Sequence, residues 1–399
     1  VHRRLSILDV STAGQQPMHS HCGRYVIAYN GEIYNHLQLR KKLQDQGGVV
    51  NWISHSDTET LLTCLARWGV RRTLDSLVGM FSFALWDRQE QTLTLARDRM
   101  GEKPLYWGTQ NGTLLFGSEL KALKVHPDFV GEIDRNALSV FLRHNYIPAP
   151  HSIYKGIQKL PPGCYVQISA SNRGHCPEPV SYWSVNHCVS SGLVAPYEGN
   201  EAEALDSLEN TITQSVQGQM LSDVPLGAFL SGGVDSSLIA ALMQSRSATA
   251  IKTFAVGFDD PRFNEAEHAA AVARHLGTDH TEFYVSADDA LDVIPKLPDI
   301  YCEPFADSSQ IPTYLVTKLA KQHVTVALSG DGGDELFGGY TPYQFAPRYW
   351  AALSRLPLSL RCAIARMMEG LPLPDKYLKL ASVMPAKDRE DFYRSVMSH

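Results

Sequence analysis

Residues 229–242 read FLSGGVDSSLIAAL. An apolar lead-in stops at Ser231-Gly232-Gly233-Val234-Asp235-Ser236-Ser237, and a second apolar run starts at once. The lead-in LGAFL (226–230) has the length of a buried strand, and 236–245 that of a helix, so the junction reads as strand, tight loop, helix. The first turn of a helix offers unpaired N–H groups and a partial positive charge, both suited to an anion. Glycines let the backbone approach phosphate oxygens without a Cβ in the way, and the hydroxyls add donors. Asp235 would repel a polyphosphate unless a divalent cation lay between them. The stretch from Phe229 and Leu230 through Ser237 therefore implies a nucleotide phosphate site with Mg²⁺ and Asp235 as a metal ligand. No G-x-x-x-x-G-K-[ST] occurs in the chain, so this is not the Walker-type loop.

The surroundings extend the pattern. From 201 onward short apolar strands alternate with helices: LGAFL, helix 236–245, IKTFAVGF, helix 265–276, TEFYV, a helix near 308–321, and VTVALS. That alternation predicts a parallel sheet covered by helices on both faces. Leu205, Leu208, Ile212 and Val216 fall at helical spacing and predict an amphipathic helix ahead of it. FAVGF (254–258) is the second strand, where a base edge could meet backbone groups near Val256. SGDGGDELFGGY (329–340) follows VTVAL and puts Ser329, Gly330, Asp331, Asp334 and Glu335 at a strand's C-terminal end, where open α/β sheets bind ligands. This acidic group could hold metal near the phosphates, with Asp334 as a second ligand, or orient an amine nucleophile.

The remaining totals bound the answer. A chain of 399 residues predicts two domains, and a net charge of −6 without any Lys/Arg run argues against a nucleic-acid partner. No stretch approaches ~18 uninterrupted apolar residues, so no membrane span is expected. Seven scattered cysteines without a C-x-x-C pair suggest neither a disulfide framework nor a zinc site, and a cytoplasmic location is expected. The fifteen histidines form no H-x-x-x-H cluster. Val1 carries neither an initiating methionine nor a signal-peptide pattern, so the chain reads as cut at the front.

The first ~170 residues predict mainly short strands and hairpins with two helices. YVIAY (25–29) reads as a strand ending at an Asn30-Gly31 turn, a helix follows near 35–46, and another follows Asp57 as its cap. GMFSFALWD and QTLTLARD form a hairpin, KPLYWG and TLLFGS are further strands, and 134–142 is a helix capped by Asp134. The polar stretch 171–200 lacks periodicity and reads as a linker.

SGGVDSS resembles the pyrophosphate loop of ATP pyrophosphatases, which activate a substrate as its adenylate. SGGVDSS, TFAVG and SGDGGDELFGGY together resemble the synthetase half of glutamine-dependent asparagine synthetases. RRLSILD (3–9), QQPM (15–18), NGEIYNH (30–36), SDTE (56–59), GMFSFALWD (79–87) and RDRMGEKPLY (97–106) resemble that family's glutaminase half, in the family's order. An isolated Asn-Gly is more often a hairpin turn, and an isolated Arg or Asp a surface charge; the joint arrangement carries the resemblance.

The resemblance implies an N-terminal Ntn-hydrolase-like αββα glutaminase domain (1–170), the linker, and an α/β ATP-pyrophosphatase domain (201–399). Asn30 and the Gly31 N–H match the oxyanion hole, Arg4 the group that holds the glutamine carboxylate, within a strand continuing to Leu8. Glu32 and Asp57 match the positions that receive the α-ammonium. The family's nucleophilic N-terminal cysteine lies ahead of RLSI, and the lysine-containing segments that follow the acidic loop have no match in 341–399. The expectation is therefore a fragment that cannot hydrolyse glutamine and whose synthetase site is incomplete. The implied substrates are ATP with Mg²⁺, glutamine and aspartate, the products asparagine, AMP and pyrophosphate, and the resemblance allows a homodimer. Two alternatives stay open: the same machinery acting on a sugar acid or secondary-metabolite carboxylate, and a non-catalytic nucleotide-binding remnant. Lys103 and Arg97 are read as structural residues near the domain interface.

Overall fold

The structure, a computed structural model, describes residues 2–47, 50–171, 176–258 and 264–397. Its first half contains β1 (Met18–His19), β2 (Tyr25–Ile33), α1 (His36–Asp45), α2 (Asp57–Trp68), α3 (Val70–Ser76), β3 (Gly79–Asp87) and β4 (Thr92–Arg97). Then come β5 (Tyr106–Gln110), β6 (Thr113–Gly117), α4 (Leu120–Lys124), α5 (Arg135–His144), β7 (Ile157–Lys159), β8 (Cys164–Ser169), β9 (Val180–Ser181) and α6 (Val185–Val194). The strands form two sheets, ordered β1-β2-β3-β4-β8-β9 and β6-β5-β7, with antiparallel neighbours throughout.

Alternation along the strands sorts the side chains into layers. Phe81, Phe83 and Leu85 of β3 join Ile27 and Tyr29 of β2 against Leu39 and Leu43 of α1 and Leu61 and Leu65 of α2. The intervening Ala84 faces the other way, with Leu93, Leu95 and Val166, onto Trp107 of the second sheet and Leu160 just beyond it. The far side of that second sheet packs Leu115 and Ile157 on Leu120 and Leu123 of α4 and Ala137 of α5. Helix, sheet, sheet, helix is the αββα order anticipated above.

Three local expectations are corrected. Asn30-Gly31 is not a turn: β2 runs on to Ile33, with Gly31 opposite Phe81. A Cβ at 31 would lie 2.1 Å from the Met80 carbonyl oxygen, so the glycine serves a close approach of two strands. The cap of α2 is Ser56, whose Oγ accepts the Thr58 N–H at 3.0 Å, which leaves the Asp57 carboxylate for other work. The 171–200 stretch is not all irregular: Val180–Ser181 pairs with β8, Tyr182 is buried in the first core, and α6 follows.

The second half begins with α7 (Glu201–Gln219), capped by Asn200 in a reciprocal box with Glu203. Its later part packs through Ile212 and Val216, while Leu205 and Leu208 are exposed. Next come β10 (Leu226–Phe229), α8 (Val234–Arg246), β11 (Lys252–Phe258), α9 (Ala266–Leu276), β12 (Asp279–Val285), α10 (Ala287–Leu291), α11 (Leu297–Ile300) and α12 (Gln310–Ala320). The chain closes with β13 (Val326–Leu328), α13 (Gly333–Phe337), α14 (Thr341–Leu353), α15 (Leu358–Glu369), α16 (Asp375–Val383) and α17 (Arg389–Met397).

The sheet is parallel throughout and ordered β12-β11-β10-β13. Ala240 and Met243 of α8 and Ala269 and Ala273 of α9 cover one face, and Ala320 of α12 with Val324 covers the other. From β10 the chain steps outward through β11 and β12, then returns to the opposite side of β10 as β13. The direction of winding therefore reverses between β10 and β13, and a crevice opens beyond their C-terminal ends.

The halves meet around residues 302–306. Cys302 packs on the α4/α5 core, Glu303 pairs with Lys159 and accepts the Ile153 N–H at 3.3 Å, and the Ala306 N–H donates to the Asn145 carbonyl at 2.8 Å.

Candidate functional site

A cavity of about 540 Å³ in the first half is lined by Arg4, Leu8, Asn30, Gly31, Glu32 and Asp57, the six residues matched to glutamine from sequence. Strand β2 supplies three of them in succession, and the first turn of α2 supplies Asp57. The anticipated strand through Arg4 and Leu8 does not form; the segment is irregular and held by Arg4 itself. Its Nη1 donates to the Asp9 carbonyl at 2.8 Å and its Nη2 to the Leu8 carbonyl. That fixes one edge of the guanidinium fork while its positive charge stays at the cavity wall.

The two acidic groups differ in kind. Asp57 Oδ2 accepts the Tyr29 hydroxyl at 2.7 Å and the Ile33 N–H at 2.9 Å, so it anchors the end of β2. Glu32 is only 4% exposed, and its Oε1 has no hydrogen-bond partner among the described residues. Burial and the nearby Asp57 charge push the Glu32 carboxyl up to about 8, with Lys103 pulling the other way. A buried, unpartnered carboxylate on a cavity wall is suited to a cationic ligand group. Asn30 Nδ2 donates to Ser118 Oγ at 3.1 Å, which orients the amide at the mouth of the same cavity.

Lys103 lines this cavity too, a role missed when the residue was read as structural. Its position in RDRMGEKPLY was visible, but no spacing rule points a loop lysine at a glutamate seventy residues away. Arg97 is structural as expected: its guanidinium donates to the carbonyls of Lys103 at 2.7 Å, Leu160 at 2.8 Å and Gly101 at 2.6 Å.

The second site lies in the crevice between β10 and β13. Ser231 Oγ and Ser236 Oγ are 3.0 Å apart, Ser236 Oγ accepts the Ser231 N–H at 3.2 Å, and α8 begins at Val234. The loop is thus closed on itself in front of the helix N-terminus. Gly232 has φ +85°, and a Cβ there would fall 2.7 Å from His268 Cβ, so this glycine also lets the loop sit on α9. Ser237 Oγ is buried without a partner among the described residues. The loop after β13 closes against the first: Cβ positions built on Gly330 and Gly333 would lie 2.7 Å from the Ser236 nitrogen and 2.4 Å from Asp235 Oδ2. The Leu230 N–H donates to the Phe254 carbonyl at 2.8 Å where β10 ends. By strand alternation Val256, two residues on, turns its N–H and C=O to that same side.

The acidic residues splay apart. Asp331 Oδ2 accepts the Ser329 hydroxyl at 3.0 Å, Glu335 Oε1 accepts the Tyr340 hydroxyl at 2.9 Å, and the Asp334 carboxylate lies over Gly339. Among the described residues no three His, Cys, Asp or Glu side chains gather as a metal cage. Asp235 and Asp334 stand in the first turns of α8 and α13, and carboxylates so placed suit a cation that takes one or two of them and completes its shell with phosphate oxygens and water. Among the described residues no helix is long and apolar enough to cross a membrane.

A cavity with an amino-acid-like set of charges and a parallel sheet with a phosphate-type crevice define a two-domain protein of amidotransferase and synthetase type. Profile comparison agrees: residues 1–183 match the glutamine amidotransferase domain and 207–399 match asparagine synthase. The chain belongs to the family of glutamine-hydrolysing asparagine synthetases. It is 36% identical over 396 residues to asparagine synthetase [glutamine-hydrolyzing] 1 of Bacillus subtilis, covering 96% of this chain and 60% of the relative. It is 36% identical to a putative asparagine synthetase [glutamine-hydrolyzing] of Mycobacterium tuberculosis (92% and 56% covered), and 31% identical to asparagine synthetase B of Escherichia coli (87% and 57%). The chain thus spans less than two thirds of the length of these relatives. A glutamine phosphoribosylpyrophosphate amidotransferase from B. subtilis shares 15% identity over 70% of this chain and 75% of its own, at a TM-score of 0.31, too distant to bear on the fold.

Proposed function

We propose that the full-length protein is a ligase that hydrolyses glutamine at the first cavity and uses the ammonia to convert aspartate to asparagine at the second, with ATP cleaved to AMP and pyrophosphate. The observation that supports this most is the meeting of the two Ser/Gly loops, 231–237 and 329–333, at the winding reversal of the parallel sheet. In the first cavity Arg4 holds the substrate carboxylate and ionised Glu32 its ammonium, while Asp57 keeps β2 in place. Asn30 and the Gly31 N–H stabilise the oxyanion that forms at the side-chain carbonyl.

In the crevice the N–H groups of the 231–237 loop and the hydroxyls of Ser231, Ser236 and Ser237 hold the triphosphate, and the Val256 backbone meets the adenine edge. Magnesium, when bound by Asp235 and Asp334, would neutralise charge on the phosphates. The aspartate side-chain carboxylate attacks the α-phosphorus, expelling pyrophosphate and leaving an acyl-adenylate. Ammonia then displaces AMP, and Glu335 or Asp331 takes up the proton released. Pyrophosphate release from the full-length protein, measured across candidate carboxylates, tests the assignment. Stimulation by aspartate is expected. Release with a different carboxylate alone moves the acceptor, and no binding of ATP in magnesium buffer overturns the whole proposal.

A further inference from the structure

One side chain, Asp223, links the segments that carry the two sites. Asp223 stands in the turn between α7 and β10, three residues ahead of the strand that delivers the phosphate loop. Its backbone N–H donates to the Ile7 carbonyl at 3.0 Å, and its Oδ2 accepts both the Asp9 N–H at 2.7 Å and His55 Nε2 at 2.7 Å. Ile7 lines the first cavity, Asp9 follows its lining residue Leu8, and His55 precedes its lining residue Asp57 by two positions. Ile7 and Asp9 lie on the segment whose carbonyls fix the Arg4 guanidinium. Asp9 is buried and ties the two segments together, because its Oδ2 accepts the His55 N–H at 3.2 Å and lies 3.5 Å from His55 Nδ1.

On its other side Asp223 leads into β10, one of the two inner strands of the parallel sheet, paired to β11 from Gly227 and to β13 from Leu226. Pairing on both edges stiffens this strand, which runs from three residues after Asp223 to the residue before Leu230-Ser231 and lies beside β13, the strand ahead of Gly330. A carboxylate that grips both segments at one cavity, on the turn into the strand feeding the other site, gives each site a mechanical hold on the other. The hydrogen bonds from His55 and from the Asp9 N–H hold the Asp223 carboxyl below its ordinary range, so the grip is made by a charged group.

We propose that Asp223 is a positioning residue that couples filling of the glutamine cavity to the state of the nucleotide crevice. This rests on the function proposed above. The full-length protein is assayed for glutamate and pyrophosphate formation, with glutamine or ammonium as nitrogen donor. The variants are Asp223→Ala, Asp223→Asn, and His55→Gln at a largely exposed partner. In the unaltered protein ATP plus aspartate lowers the glutamine KM. In Asp223→Ala that response disappears and glutamate formed per pyrophosphate rises several-fold, the scale of a modest coupling energy, while ammonium-supported pyrophosphate release stays within about two-fold. His55→Gln shifts the same two quantities less, and Asp223→Asn, which retains an acceptor for the Asp9 N–H, falls between.

The inference is overturned if the unaltered protein shows no such KM response, or if the variants keep its glutamate-to-pyrophosphate ratio. It is equally overturned if they lose ammonium-supported release in parallel, which marks a general structural role. Should Asp223→Ala fail to fold, Asp223→Asn and His55→Gln decide on the same criteria. Absence of both products from the unaltered protein counts against the proposed function instead.

Discussion

Gly333 lies directly against the carboxylate of Asp235: a Cβ at 333 would come within 2.4 Å of Oδ2 and 2.5 Å of Cγ. The two loops of the crevice are therefore fitted to each other at the acid expected to serve the phosphates. Gly330 is tighter in a different sense, because its neighbours are backbone, the Ser236 nitrogen at 2.7 Å and the Asp235 carbonyl carbon at 2.9 Å. A side chain can turn aside, whereas a helix's first turn cannot. Gly330→Ala is expected to weaken ATP binding by about 1–3 kcal/mol, the usual cost of overpacking, and Gly333→Ala by less. Calorimetric titration with magnesium and ATP measures both. Equal, unchanged affinities would mean that the nucleotide does not sit between these loops.

Glu32 should make glutamine binding and stability respond to pH in opposite directions. In the unfolded chain its carboxyl ionises near 4.5, and in the fold at about 8, because it is buried beside Asp57. Between those values the folded form keeps a proton that the unfolded chain has released, so this group's contribution to stability falls as pH rises from about 4.5 to about 8. An ammonium ligand needs the ionised form, so glutamine affinity should climb up to about ten-fold per pH unit below 8 and then level off. Glu32→Gln should flatten both slopes, raise the melting temperature at pH 8 to 9, and weaken glutamine binding. Parallel melting and binding series at five pH values would check this. A pH-independent affinity in the unaltered protein contradicts it.

Removing divalent metal should separate the two activities. In the proposed scheme the first cavity works through Arg4, Glu32 and hydrogen-bond donors, while Asp235 in the crevice would face a polyanion and need a cation between them. Excess EDTA is expected to stop pyrophosphate release and leave glutamate formation within about two-fold, and Asp235→Asn should do the same without chelator. Retention of pyrophosphate release in EDTA would remove magnesium from the scheme.

What the sequence disclosed and what it hid divide along a physical line. The parallel sheet, its helices and both crevice loops were legible because strand–loop–helix order and Gly/Ser spacing are local properties, and Ser231 to Ser237 sit where that order puts them. The six residues at the glutamine cavity were placed by motif and do share one wall system. Hidden were features that depend on a distant partner. Asn30-Gly31 reads as a turn until β3 is known to lie within 2.1 Å of a Cβ at Gly31. Asp57 reads as a helix cap until Tyr29 is seen to claim it. Val180–Ser181 is too short to show a period, and becomes a strand only because β8 offers an edge.

Arg361 is the sharpest case, since its helical register alone suggests a solvated cation. It is only 5% exposed, with Nε donating to the Leu356 carbonyl at 3.1 Å and Nη1 to the carbonyls of Met384 at 3.1 Å and Ala386 at 2.8 Å. The guanidinium also stacks over Trp350, 5.4 Å from the ring centre. These bonds tie α15 to the end of α16 and the turn before α17, beside the small core of Ala346, Val383 and Phe392. Truncation would leave several buried carbonyls without donors, each costing about 1–3 kcal/mol when no water replaces the lost partner. Arg361→Ala is therefore expected to destabilise by roughly 2–4 kcal/mol. Lysine, with one compact ammonium in place of the planar fork, should recover only part of that. Denaturant melts read the size of the effect, and hydrogen exchange over 358–397 reads its location. An alanine variant within about 0.5 kcal/mol of the parent would show that water can take over every one of these carbonyls.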